Sequence, residues 1–377
     1  MDSADYYHPC EGQVFKDAMR QLAEDEMFAM LAAKLYPELS VDAAKEKILS
    51  LESASQFQST VMYRGCEYVI EHSMSQFNCS GLENLDGRPT LFISNHRDIV
   101  LDAMLLQYVL VKHHRDTTHV VVGSNLWEMP LMAILARANK MYGIGRGGNH
   151  REYYTALMEM SHYLRHVVTE RHESAWIAQR NGRTKDGKDR TDPALLKMIA
   201  ASGDRDNPVK ALEDMNIVPI SMSYEWEPCD TLKARETSLR QQGPYTKQPG
   251  EDTRSIIQGI TDFKGEVHLH FCKPLQHAEL VATQGNFEAV ANLIDSRIAS
   301  GHLMSINNLQ GYQLIHLGNP ITDKDCPFLQ HIDKACEQYP GDEAFRQALL
   351  GIYGNALANS VEIDDKRDEL RQFGLAI

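Results

Sequence analysis

A histidine and two aspartates stand where an apolar, strand-like run gives way to a helical pattern. His96 is followed by Asp98 and Asp102. Residues 89–93 are short, apolar and rich in strand formers, whereas residues 99–111 repeat their apolar side chains at helical spacing. His96 therefore falls in the connecting loop. An imidazole in such a loop can take a proton from a substrate hydroxyl if a carboxylate fixes its orientation.

The two aspartates are rival candidates for that orienting carboxylate. Asp98 immediately precedes the helical pattern, where an aspartate commonly caps the first free backbone N–H groups. Asp102 falls inside the helical pattern among leucines, and a carboxylate in apolar surroundings needs a partner. We therefore expect Asp102 to orient His96 and Asp98 to cap the helix, with Asp98 as the alternative orienter. A core histidine beside a capping aspartate is the remaining interpretation.

Basic residues downstream are candidates for binding an anion. A glycine-containing loop after a second strand-like run offers Arg180, Arg183 and Lys185, and arginine presents a planar fork that suits a phosphate. Arg146 stands among the glycines of residues 143–148 and is a further candidate. The same glycines match a dinucleotide-binding fingerprint, but its usual helix and acidic residue do not follow, so a nucleotide site is the weaker interpretation. Without a ligand, these cations would form an ordinary solvated loop.

Four segments, in the expected order, resemble the sequence blocks of the glycerolipid acyltransferase family, the enzymes that acylate glycerol 3-phosphate or lysophosphatidic acid. The blocks are residues 95–102, 126–146, 175–185 and 216–224. The family's first block is Asn-His with an aspartate after four intervening residues, whereas five residues separate His96 from Asp102. In the third block, Asn181 stands where the family usually carries a glutamate before glycine.

The resemblance implies an O-acyltransferase of phospholipid synthesis. The acyl donor would be acyl-CoA or an acyl carrier protein thioester, and the acceptor a phosphate-bearing glycerol or lysophospholipid. His96 would act as general base with Asp102 as its orienter. The acceptor phosphate would contact four cations, Arg146, Arg180, Arg183 and Lys185. The thioester is a co-substrate, and no metal or other cofactor is implied. A noncatalytic lipid-binding protein on the same scaffold and a metal-dependent phosphoesterase are the alternatives.

Composition and charge limit the partners and the location of the chain. The chain has 377 residues and a formal net charge of −14, with no extended basic face, so we expect no nucleic-acid partner. It has no apolar run long enough for a membrane span and no basic, apolar secretory signal. A lysophospholipid acceptor would require peripheral membrane contact through a local basic and apolar patch. Seven cysteines without a CxxC pair favour a reduced, cytoplasmic location, at the inner membrane face if the substrate is a lipid.

The order of strand and helix patterns predicts an α/β fold, with a central mixed sheet flanked by helices and with helical amino- and carboxyl-terminal additions. We expect a helical amino-terminal region at residues 1–80, an acyltransferase catalytic domain at residues 81–275, and a helical carboxyl-terminal region at residues 276–377. Residues 239–253 are polar and contain two Gly/Pro pairs, which predicts a loop or flap.

Overall fold

The computed structural model describes residues 8–124, 127, 130–145, 150–204 and 206–361. Its centre is a mixed seven-stranded sheet covered by helices on both faces, which confirms the predicted α/β class. The strands are β1 Gln76–Ser80, β2 Leu91–Ser94, β3 His119–Gly123, β4 Met141–Ile144, β5 Ala175–Ala178, β6 Ile217–Tyr224 and β7 Glu266–Phe271.

The strand order explains why loops far apart in sequence meet at one edge. Neighbouring strands follow the order β1-β7-β6-β2-β5-β3-β4, and only the β6–β7 pair is antiparallel. Strands β2 to β6 therefore all run in one direction, and their carboxyl ends lie at the same edge of the sheet. In open α/β sheets this edge is the usual place for a ligand.

Within the described ranges, helices precede, connect and follow the strands. Before β1 lie α1 Gly12–Glu24, α2 Glu26–Leu35, α3 Val41–Leu49, α4 Ala54–Phe57 and α5 Tyr63–Ser73. Between β2 and β7 lie α6 Leu101–Lys112, α7 Pro130–Ala138, α8 His150–Arg165, α9 Pro193–Ala201, α10 Pro208–Glu213, α11 Asp230–Gln242 and α12 Glu251–Thr261. After β7 lie α13 His277–Ala282, α14 Phe287–Gly301, α15 Ile306–Ile315, α16 Pro327–Cys336 and α17 Glu343–Val361.

Two apolar cores hold the helices against the sheet. One core packs α8, α9 and α14 on one face, with Met160, Leu196 and Ile294 among its buried side chains. The other packs α5 and α6 on the opposite face, with Val69 and Leu105 buried in it. Burial of apolar surface on both faces is what fixes the sheet between the two helical layers.

Element boundaries differ from the sequence predictions at two places. Ser40 caps α3, its Oγ accepting the N–H of Ala43 at 3.2 Å. The sheet already begins at β1, before the expected boundary at residue 81. The loop predicted at residues 239–253 is wrong at both ends, because α11 continues to Gln242 and α12 begins at Glu251. None of the helices within the described part of the chain has both the length and the apolar character needed to cross a bilayer.

Candidate active site

The loop that carries His96 is fastened to both strands that flank β2. Ser94, the last residue of β2, accepts a hydrogen bond at its Oγ from Trp176 Nε1 of β5 (3.0 Å). On the other side, the Asn95 side chain accepts the N–H of Met222 in β6 (2.8 Å) and donates to its carbonyl (2.9 Å). The chain therefore leaves β2 at a fixed point, and His96 follows directly at the carboxyl edge of the sheet.

Asp102, in the first turn of α6, is the carboxylate that contacts His96. Its Oδ2 lies 2.9 Å from His96 Nδ1 and also accepts the N–H groups of Arg97 (2.7 Å) and Asp98 (3.0 Å). Its Oδ1 accepts the hydroxyl of Tyr224 at 2.8 Å. These donors satisfy a carboxylate whose side chain is only 1% exposed. An Nδ1–H donated to Asp102 leaves the Nε2 of His96 as a proton acceptor.

Asp98 lies at the start of α6 and makes a different set of contacts. Its Oδ1 accepts the N–H groups of Val100 and Leu101, both at 2.9 Å. Its Oδ2 faces α12 at Gly259, where an added Cβ would come within 2.3 Å of that oxygen. Asp102 is thus the carboxylate that contacts His96, and Asp98 is the residue that caps the first N–H groups of α6.

Two arginines carry hydrogen-bond donors that the described residues do not satisfy. Buried Arg183 donates from Nη2 to Ser255 Oγ at 3.2 Å, whereas its Nη1 is buried and has no partner in the described ranges. The Nε of Arg180 is likewise buried and has no hydrogen-bond partner among the described residues. An unpartnered buried donor costs free energy, so a ligand that supplies acceptors is favoured there. Both side chains line one cavity together with His96.

Lys185 and Arg146 differ from these two arginines. Lys185 lines the cavity but forms an ion pair with Glu236 of α11. Burial lowers the pKa of Lys185, and the Glu236 carboxylate opposes that shift. Arg146 lies outside the described residues. Of the predicted cations that the structure describes, Arg180 and Arg183 therefore each have an N–H group without an acceptor. The charge of Lys185 is already compensated by Glu236.

No sequence motif indicates a second ion pair that lies beside the cavity. Lys247, in the connection between α11 and α12, lies 2.5 Å from Asp252 Oδ1 through its Nζ, and both residues line the cavity. They follow β6 by more than twenty residues and belong to no motif. A lysine and an aspartate in a polar stretch of sequence are usually solvated, so only the folded chain identifies them as neighbours of the site.

The cavity combines a charged part with an apolar part. It has a volume of about 230 Å³ and lies between the carboxyl ends of β3, β4 and β5 and helices α8 and α9. Its apolar lining residues are Val121, Ile144, Leu157, Met160, Ile177, Leu195 and Met198. His96 and the two arginines line the same cavity as these apolar residues. A ligand with an anionic group and an apolar tail could therefore contact both parts at once.

The side chains around His96 are not arranged as a metal-ligand set. In the chain segments that the structure describes, no three His, Cys, Asp or Glu side chains are grouped so that they could hold a metal ion. Both oxygens of Asp102, the carboxylate that contacts His96, accept hydrogen bonds from protein donors. The arrangement suits proton transfer at His96 Nε2 beside an anion-binding pair of arginines.

Comparison with known proteins adds one family match. Residues 76–223 match the model of the family described as Acyltransferase. Among solved structures, the chain is similar to the 1-acyl-sn-glycerophosphate (LPA) acyltransferase PlsC from Thermotoga maritima, at 12% identity and a TM-score of 0.37, over 76% of this chain and 97% of that one. No curated protein sequence matches the chain significantly. The matched segment contains His96, Asp102, Arg180 and Arg183, but it ends before Tyr224 and Lys247.

Proposed function

We propose that the chain, whose residues 76–223 match the acyltransferase family model, moves a fatty acyl group from a thioester donor to a hydroxyl of a phosphate-bearing glycerolipid acceptor. One observation carries the proposal: His96, two arginines with unpartnered N–H groups and an apolar wall all belong to a single cavity. The reacting hydroxyl, the phosphate and the acyl chain of one reaction can each find a suitable contact there.

His96 acts as the general base. Its Nε2 takes the proton of the acceptor hydroxyl while the oxygen attacks the thioester carbonyl and forms a tetrahedral intermediate. Asp102, bonded to Nδ1 at 2.9 Å, fixes the ring and stabilises the imidazolium that forms. When the intermediate collapses, the C–S bond breaks and the thiolate leaves with the electron pair, receiving the proton from Nε2. The products are the ester and a free thiol, and no side chain becomes acylated.

The two arginines bind the acceptor phosphate. Arg183 offers Nη1 and Arg180 offers Nε, and a phosphate oxygen is the acceptor that each buried donor lacks. A charge-assisted bond to a guanidinium fixes both position and orientation, so it places the acceptor hydroxyl relative to His96. Lys185 and Lys247 also line the cavity, but each is paired with a carboxylate and contributes less to binding the phosphate.

The apolar part of the cavity holds an acyl chain. Its lining includes Leu157 and Met160 of α8, Met198 of α9 and Ile177 of β5. Transfer of methylene groups from water to such a surface is favourable by about 0.8 kcal/mol each, so chain length should affect binding. The donor is acyl-CoA or an acyl carrier protein conjugate, and its thioester supplies the leaving group without a metal or another cofactor.

We also propose that the protein meets the bilayer near this cavity. Tyr153 lines the cavity and is exposed, and Tyr154 beside it is more exposed still. Ile257 and Phe263, on and just after α12, are further exposed apolar side chains. Because the net charge of −14 opposes attraction to an anionic surface, such a contact depends on local apolar and basic groups.

Thiol release tests the function directly. The purified protein is mixed with palmitoyl-CoA, with and without lysophosphatidic acid or glycerol 3-phosphate, and the acylated product is identified by mass spectrometry. His96→Ala is the test variant, and His277→Ala, an exposed histidine paired with Glu213, is the matched control. We expect acceptor-dependent release that falls about a thousandfold in His96→Ala and is unchanged in His277→Ala.

The other results have defined meanings. Near-normal turnover by folded His96→Ala would defeat the assignment of the base. Lipid binding without turnover by the wild type, with acyl-CoA and with an acyl carrier protein conjugate, would favour the noncatalytic lipid-binding alternative. That alternative is tested because Asn181 lines the cavity at the position where the family usually carries a glutamate.

A further inference from the structure

Asp102 is supported from β6 by a tyrosine that lies outside the matched segment. Tyr224 is the last residue of β6, a strand in which every residue is buried. Its hydroxyl donates to Asp102 Oδ1 at 2.8 Å, the oxygen that His96 does not contact. Burial, together with the negative charge of Asp102, raises the pKa of Tyr224 well above its ordinary value, so the hydroxyl keeps its proton and remains a donor. This contact prevents the carboxylate from rotating away from the imidazole.

A second support reaches Asp102 through one peptide group. The carbonyl of Arg97 accepts a hydrogen bond from Lys233 Nζ of α11 at 2.5 Å. The N–H of the same peptide group belongs to Asp98 and donates to Asp102 Oδ2 at 3.0 Å. An ammonium at the carbonyl end polarises the peptide and strengthens its N–H as a donor. Lys233 therefore acts on Asp102 through the Arg97–Asp98 peptide.

The surroundings of Lys233 show that its position is fixed. Its ammonium, 1% exposed, also bonds Glu227 Oε1 at 2.7 Å. Glu227 accepts from Arg97 Nη1 at 3.3 Å, and the other end of that guanidinium bonds Asp189 at 2.5 Å. Two buried cations are thus matched by two buried carboxylates, as buried charges require. The backbone N–H of Glu227 in turn donates to the hydroxyl of Tyr353 in α17.

We propose that Tyr224 and Lys233 are positioning residues for the His96–Asp102 pair, and that the catalytic unit therefore extends past residue 223 to Tyr224 at the end of β6 and to Lys233 in α11. The proposal rests on the proposed function for its kinetic consequences. Its structural part concerns the hydrogen bond between His96 and Asp102 and can be measured without turnover.

Tyr224→Phe is the first test, because it removes only the hydroxyl. We expect kcat to fall about tenfold, the effect of losing a hydrogen bond to a charged group, while the acceptor KM stays within twofold because the arginines are untouched. Tyr163→Phe is the matched control, since its hydroxyl lies 2.6 Å from His119 Nδ1 and contacts none of the catalytic groups. A kcat for Tyr224→Phe within twofold of the wild type would overturn the role of Tyr224.

The double variant Tyr224→Phe/Asp102→Asn separates positioning from a general loss of structure. If Tyr224 acts through Asp102, its substitution costs little further activity once Asp102 is an asparagine. The same tenfold loss in the Asp102→Asn background would show that Tyr224 acts by another route and would contradict the proposal.

Lys233→Met tests the second support. We expect a similar fall in kcat with little change in KM, and Lys140→Met serves as control because Lys140 is also buried but lies at the amino end of β4. If the single variant does not fold, Lys233→Met/Glu227→Gln removes one charge of each sign and keeps the interior neutral. Normal turnover in either folded Lys233 variant would overturn the role of Lys233.

Proton NMR of protein labelled with 15N-histidine distinguishes failure of this inference from failure of the proposed function. The Nδ1–H resonance of His96 is identified by its absence in His96→Ala. We expect it to shift or broaden in Tyr224→Phe and in Lys233→Met and to persist in Tyr163→Phe. Such changes in a protein that transfers no acyl group would uphold the positioning network and reject the function, whereas an unchanged resonance would reject the network.

Discussion

Asp102 holds His96 with the same carboxylate oxygen that accepts the backbone N–H groups of the two residues after the histidine, at 2.9, 2.7 and 3.0 Å. The loop therefore wraps around a single oxygen atom. This geometry accommodates five residues between the histidine and the aspartate, one more than in the family's first block. The carboxylate orients the ring and also fixes the turn that presents it.

Substitution of the two aspartates should separate orientation from capping. We expect Asp102→Asn to reduce turnover by about a thousandfold or more, because an amide cannot accept hydrogen bonds from all of the donors around it. Asp98→Ala should lower the free energy of unfolding by about 1 kcal/mol through loss of the cap, with a smaller effect on turnover. Thiol release and urea denaturation measure the two effects. The reverse pattern would make Asp98 the orienter.

The two classes of cation at the cavity should differ in kinetic effect. Arg183→Ala should raise the acceptor KM about tenfold or more, because it removes a charge-assisted contact with the phosphate. Lys185→Ala should have a smaller effect, since Glu236 already compensates that ammonium. Arg183→Lys should restore charge but not the fork, and so should recover only part of the affinity. Equal KM values for Arg183→Ala and the wild type would remove Arg183 from the phosphate site.

The sequence predicted those parts of the fold and site that depend on neighbouring residues. The strand, loop and helix around His96 follow from local apolar periodicity, and the helix start follows from Asp98. The contact between Asp102 and His96 was predicted from one argument, that a carboxylate among leucines requires a partner. These features involve residues within one or two turns of each other.

The remaining features depend on contacts between distant parts of the chain. Tyr224 lies 122 residues after Asp102, and Lys233 lies 136 residues after Arg97. A tyrosine ending a strand and a lysine in a helix are ordinary in composition, so no pattern marks them before the strand order is known. The position of β7, parallel to β1 and antiparallel to β6, is likewise set by packing and not by local propensity.

A bulky side chain in the apolar part of the cavity should alter the choice of acyl chain. Leu157→Trp places an indole where the tail of a long acyl group would lie, so we expect kcat/KM to fall for palmitoyl-CoA more than for octanoyl-CoA. Leu317→Trp, at an exposed position away from the lining residues, is the control. If both donors lost activity equally in Leu157→Trp, the acyl chain would have to occupy another surface.

Asp295 should make stability depend on pH in a direction opposite to that of most carboxylates. Burial raises its pKa from 3.8 to about 6, hydrogen bonds from Thr191 oppose the shift, and the charge of Asp189 adds to it. Between these two pH values the folded state holds more protons than the unfolded state, so stability falls as pH rises from 3.8 to about 6 and then stays level.

Asp295→Asn should remove that loss, because an asparagine oxygen can still accept the N–H and hydroxyl of Thr191. We expect the variant to exceed the wild type in free energy of unfolding by about 3 kcal/mol at pH 7, with the difference closing near pH 4. Urea denaturation at several pH values measures this, with Asp325→Asn at an exposed site as control. A difference that does not change with pH would show that Asp295 is ionised in the folded protein throughout this range.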